Sequence, residues 1–155
     1  MQKIEIRENK KLILKKVINK SLDLIPFENL DVEINKFYNN IHALKLQIFG
    51  LLIIRNKGMK IGDDGKITSD YYLYIQAYDY KQYKNQFNVL DEVVAEYCLY
   101  TRFEGKPEYL QLAFNKLEIY EYEEDMITRG DIYMISLEGS EDHIVMDIFK
   151  PVKMI

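Results

Sequence analysis

The apolar run 144–149 alternates in character. Ile144, Met146 and Ile148 fall on one side of an extended strand, and Val145, Asp147 and Phe149 on the other. The purely apolar set belongs against a core, so Asp147 stands on the opposite face beside a phenyl ring. A carboxylate among aromatic rings attracts a cation by charge, and the rings add cation–π attraction of about 0.5–2 kcal/mol. Partial burial would raise its pKa and open a second use, proton transfer. The same pattern also fits a surface acid, or one paired with a neighbouring Lys or Arg.

Aromatic side chains to surround such a carboxylate are plentiful, with 13 Tyr and 7 Phe but no Trp. Tyr133 shares a face with Asp131, Ile135 and Leu137. Tyr97 and Tyr100 are an odd number of residues apart, so only one of them can line a groove. Tyr72 and Tyr74 share one face of their run, and Tyr71 takes the other. The candidate ligand-lining residues are Asp147, Tyr133, Phe149, one or other of Tyr97 and Tyr100, and Tyr72 with Tyr74. Tyr133 and Asp147 are also the weak candidates for a catalytic pair. Ordinary sheet packing accounts for much of the tyrosine excess.

Other chemistries find little support. Cys98 is the only cysteine, lacks a basic partner in sequence, and reads as a small buried residue. His42 and His143 lie far apart with no third ligand at metal-site spacing, so neither a metal nor a cofactor is expected. Ser21, Ser69, Ser136 and Ser140 sit in no nucleophile-elbow context. Gly58, Gly62 and Gly65 read as loop glycines, not a phosphate cradle.

The formal charge of −4 and pI near 5.3 argue against a nucleic-acid-binding domain, which needs a basic face. The one basic stretch is the first twenty residues, with seven Lys or Arg against Glu5 and Glu8. Its lysines, Lys10, Lys11, Lys15 and Lys16, flank Leu12, Ile13 and Leu14 as in a solvated edge strand that resists pairing. Glu118, Glu121, Glu123, Glu124 and Asp125 read as the wet end of a helix. The polar start, Met1 to Glu5, lacks a signal-peptide core, and no apolar run is long enough to span a membrane. With no possible intrachain disulfide, the expectation is a soluble cytoplasmic protein.

A length of 155 residues suits one domain, 1–155. Residues 11–18 read as a strand. Pro26 opens a helix over about 26–43, whose stripe is Phe27, Leu30, Ile34, Phe37, Tyr38 and Ile41. The continuous apolar run 46–55 reads as a buried strand and 71–78 as another. After a linker, 79–92, the order recurs. A strand at 93–103 leads to a helix opened by Pro107 with Leu110, Ala113, Phe114, Leu117 and Tyr120 as its stripe. Strands at 131–137 and 144–152 follow. The fold expected is α+β: duplicated βαββ units, about 11–78 and 93–153, forming one antiparallel sheet with two helices on one face. The uncovered face is where a ligand would bind.

The stretch "AEYCLYTRFEGKPEYLQLAFNKL", then "DIYMISLEG" and "MDIFKPVK", resembles the gyrase-inhibitor-like (GyrI-like) domain, which also serves multidrug-sensing activators as their effector-binding domain. Gly105, Tyr133, Asp147, Pro151 and Val152 stand at the matching positions, and the likeness spans about 94–153. The resemblance implies a duplicated βαββ domain with an aromatic groove between its halves and a central acid. The groove would take apolar or cationic small molecules. The family's acid is usually Glu, one methylene longer than Asp147. A stand-alone small-molecule binder, without a DNA-binding segment, is the first expectation. The second is a protein-interaction module like those found near type VII secretion genes in Gram-positive bacteria. The third is a hydrolase of reactive xenobiotics using Tyr133 and Asp147 as its pair, as in some stand-alone family members.

Overall fold

The computed structural model describes residues 3–154; of the polar start, Met1 and Gln2 lie outside the described residues. The fold is α+β, an antiparallel sheet of seven strands with two α-helices. The chain forms two compact units. One is Leu14–Val93; the other joins the chain's start, through Ile13, to everything from Val94 onward.

In the first-half unit, β1 (Arg7–Pro26) leads through a short 3₁₀ turn into α1 (Leu30–Leu44), then β2 (Ile48–Ile61) and β3 (Ile67–Ala77). β3 pairs antiparallel with both β1 and β2. Its Tyr71, Leu73, Ile75 and Ala77 alternate onto one face and form a core with Ile18, Leu22 and the Leu30, Phe37 and Ile41 stripe of α1. α1 ends where Lys45 adopts a left-handed conformation and its N–H reaches the carbonyl oxygens of Ile41 and His42.

The second-half unit contains most of β4 (Asn88–Gly105), then α2 (Leu110–Glu123), β5 (Met126–Thr128), β6 (Ile132–Gly139) and β7 (Ile144–Met154). β7 is the organising strand, pairing antiparallel with β4, β5 and β6. Ile148 and Val152 pack with Leu99, Phe103, Ala113 and Leu117 in this unit's core, with Ile144 and Met146 at its margin.

Four expectations change. β1 is not a free edge: it lies between β3 and β4, and its Lys11 and Lys15 face Glu96 and Glu92 at 3.2 and 3.1 Å. The 79–92 linker is a 3₁₀ turn, Tyr80–Tyr83, followed by the start of β4. β2 is mostly half-buried or exposed, only Ile53 being buried. Register shifts near Gly50 (φ 74°) and Gly58 (φ 126°) break its alternation, so its apolar run does not share one face. Glu121 is not at the wet end of a helix. It is buried, and its Oε2 accepts a hydrogen bond from Lys150 Nζ at 2.9 Å.

Candidate functional site

The β4–β7 ladder places Tyr100 opposite Phe149 and Arg102 opposite Asp147, and the β6–β7 ladder places Tyr133 opposite Phe149 and Ile135 opposite Asp147. Directly paired residues point to the same side of a sheet. These six side chains therefore share the face turned away from the core that packs on α2. The apolar alternation of β7 explains why: Ile148 goes inward, so Asp147 and Phe149 go outward.

Asp147 is buried and holds a full set of donors. Tyr100 Oη donates to Oδ1 at 2.7 Å, Arg102 Nε to Oδ1 at 2.8 Å, and Arg102 Nη2 to Oδ2 at 3.0 Å. The guanidinium grip is two-pronged, the geometry that best matches a carboxylate. The rings of Tyr100 and Phe149 lie 4.9 Å apart, tilted 46°. Burial alone would raise the carboxyl pKa, but the bonds from Arg102 and Tyr100 and the charge of Arg102 outweigh it, and the pKa falls below the usual value. The Tyr100 hydroxyl moves the other way, through burial and its bond to Asp147, and keeps its proton.

The depressed Asp147 pKa sets a pH dependence. A carboxyl whose folded pKa lies below its unfolded one contributes its stability above the unfolded value, about 4. That contribution disappears as pH falls through the folded value. Asp147→Asn is expected to cost about 1–2 kcal/mol near pH 7, less than a fully buried pair because half of the Arg102 side chain meets solvent. The gap between variant and parent should shrink as pH drops from about 4 in chemical-denaturation titrations. A gap independent of pH would show that the ionised form is not favoured by folding.

The other expected residues divide. Tyr133 is buried on the same face as Phe149, and a hydroxyl on Asp147 is supplied by Tyr100, which the sequence did not single out for that part. Tyr97 departs from the set. Its φ of 55° bulges β4, and its exposed ring lines a separate cavity with Leu99 and Val152. Tyr72 and Tyr74 belong to the first-half unit, on the face of β3 opposite its core, with rings 5.8 Å apart. They already carry cations: Lys57 Nζ sits 4.4 Å over the Tyr72 ring, and Arg55 Nη1 donates to the Tyr74 hydroxyl at 3.0 Å.

Arg102 is the candidate-site residue absent from the expected set. Its signal was present in the two-residue spacing from Tyr100, which puts both on one face. Cys98 is fully buried, and burial pushes its thiol pKa up to about 11. Among the described residues, no cluster of three or more His, Cys, Asp or Glu is placed to hold a metal ion. Nor is any helix there long and apolar enough to cross a membrane.

No family model matches the chain, and no curated protein matches it significantly. Solved structures do. The C-terminal domain of EcmrR superposes with a TM-score of 0.69 at 12% identity, over 99% of this chain and 98% of that one. EcmrR in a complex with DNA gives a TM-score of 0.68 at 13% identity; the match covers 99% of this chain but only 58% of that one. A hydrolase from Listeria innocua gives 0.51 at 9% identity, over 97% and 92% of the two chains. At these identities the likeness is one of fold.

Proposed function

We propose that this chain is a GyrI-like small-molecule-binding protein that takes an apolar or cationic molecule on the face formed by Tyr100, Arg102, Asp147, Phe149 and Tyr133. The observation that carries this reading is a buried carboxylate flanked by a close pair of aromatic rings and neutralised by a guanidinium that is half exposed. A buried carboxylate needs a positive partner. Arg102 fills that role and can leave it, since water can solvate the freed guanidinium. A ligand cation would then take its place on Asp147, with its apolar body against the rings. The fold shared with the EcmrR C-terminal domain and the sequence resemblance over 94–153 both support this reading.

Calorimetry with an aryl trimethylammonium probe and its neutral tert-butyl isostere tests it. Asp147→Asn should weaken the cation by roughly tenfold and barely affect the isostere. Arg102→Met, which removes the competing guanidinium, should strengthen the cation. Failure of both probes to bind, or equal binding by the Asp147→Asn variant, would overturn the proposal.

A second reading, a protein-interaction module, draws on the outer face of α2 and the turn before it. Tyr109, Leu112, Ile119 and Tyr122 are all exposed there, at spacings of one helical stripe. Absence of binding by every probe would leave that reading in place of the first.

A further inference from the structure

We propose that the second-half unit carries another binding site, for a small amphipathic anion, in the cavity beside Tyr97. The cavity measures about 250 Å³. That is just below the range typical of drug-sized ligands and suits a smaller molecule. Its apolar wall is the end of the unit's core, where Leu99, Met126 and Val152 meet the ring of Tyr97.

The charges around the cavity select the sign of the ligand. Arg129 and Lys153 line it, and among the described residues neither forms an ion pair. The one acidic lining residue, Glu8, keeps its charge, but the two cations outnumber it and its Oε1 is held by the Tyr120 hydroxyl, which donates to it at 2.7 Å. An apolar body ending in a carboxylate would place its tail on Leu99 and Val152 and its head between two cations.

Two of the six described non-glycine residues with positive φ border the cavity. Asn9 and Tyr97 both line the cavity, and both hold φ at 55°. Asn visits this region readily, whereas a bulky residue adopts it at a cost, as Lys16 and Leu24 also do elsewhere in the chain. The left-handed turn at residue 97 takes the tyrosine out of the strand's alternation and sets its ring at the cavity. This site does not involve Asp147, so it stands or falls apart from the function proposed above.

The test is a titration of the protein with octanoate, octan-1-ol and octylammonium, followed through backbone amide NMR shifts. Octanoate should saturate and move the amides of Tyr97, Leu99 and Val152. Read at those same amides, octylammonium should bind roughly tenfold more weakly or worse. Arg129→Met combined with Lys153→Met should weaken octanoate by a similar factor and leave octanol unchanged. Tyr97→Gly removes the ring but suits the backbone, since glycine adopts positive φ without penalty. It should therefore abolish octanoate binding while its Tm stays level or rises, which separates loss of the site from loss of the fold. Octylammonium moving the amides of Tyr97, Leu99 and Val152 as readily as octanoate does, octanoate shifts centred on the Asp147 face, or full octanoate affinity in Tyr97→Gly would each overturn the proposal.

Discussion

Lys150→Met should destabilise the protein by about 3–5 kcal/mol, a large share of the 5–15 kcal/mol that holds a typical domain together. Lys150 and Glu121 meet inside the second-half unit, with side chains only 8% and 10% exposed. Lys150 lies opposite Leu99 on the core-facing side of β7, so its stem runs through apolar surroundings. The second carboxylate oxygen, Glu121 Oε1, is buried with no hydrogen-bond partner among the described residues. Removing the ammonium strands a carboxylate that already lacks part of its hydrogen bonding. Replacing both residues with apolar ones removes the stranded charge as well. Lys150→Met with Glu121→Leu should recover most of the loss, because a buried pair adds little over a well-packed apolar substitute. Urea titrations of the two variants read both effects. A single variant costing under about 1 kcal/mol would mean that water reaches the pair and screens it.

Phe103→Ala should cost about 3–5 kcal/mol, the usual range for deleting a fully buried ring. Phe103 packs with Leu117 and Ile148, and it follows Arg102 directly on β4. On the ladder, the pair Phe103–Met146 adjoins the pair Arg102–Asp147. The ring therefore anchors, from the core side, the strand segment that aims Arg102 at Asp147. Phe103→Leu keeps apolar volume and should cost far less. The midpoint of denaturant unfolding measures both. A loss for Phe103→Ala no larger than that for Asp147→Asn would show that the core collapses around the missing ring.

The residues most readable from sequence were those whose neighbours in space are also neighbours in the chain. The alternation in β7 put Ile148 inward and Asp147 outward, and the stripes of α1 and α2 picked out Phe37, Ile41, Ala113 and Leu117. The partner of Asp147 was not readable in this way. Arg102 lies 45 positions earlier, and only the register of the β4–β7 ladder decides that it faces Asp147. Glu121 was hidden within an acidic run, because its burial depends on a lysine 29 positions away on another element. Tyr97 was misplaced because a single left-handed residue shifts a strand's alternation, and nothing in its side chain announces that conformation. β2 was overrated as a buried strand for the same reason, its two register shifts scattering one apolar run over different environments.

The seclusion of Cys98 turns the molecule's lone thiol into a built-in stopwatch. A thiol reagent in solution has nothing to attack until that part of β4 opens. In the closed state the sulfur is both out of reach and held as the unreactive protonated form. Where reagent is concentrated enough to outpace reclosing, the pace of labelling equals the rate of opening. A fluorescent maleimide would follow the breathing of the strand that carries Tyr97, Tyr100 and Arg102, with no residue altered to install the reporter.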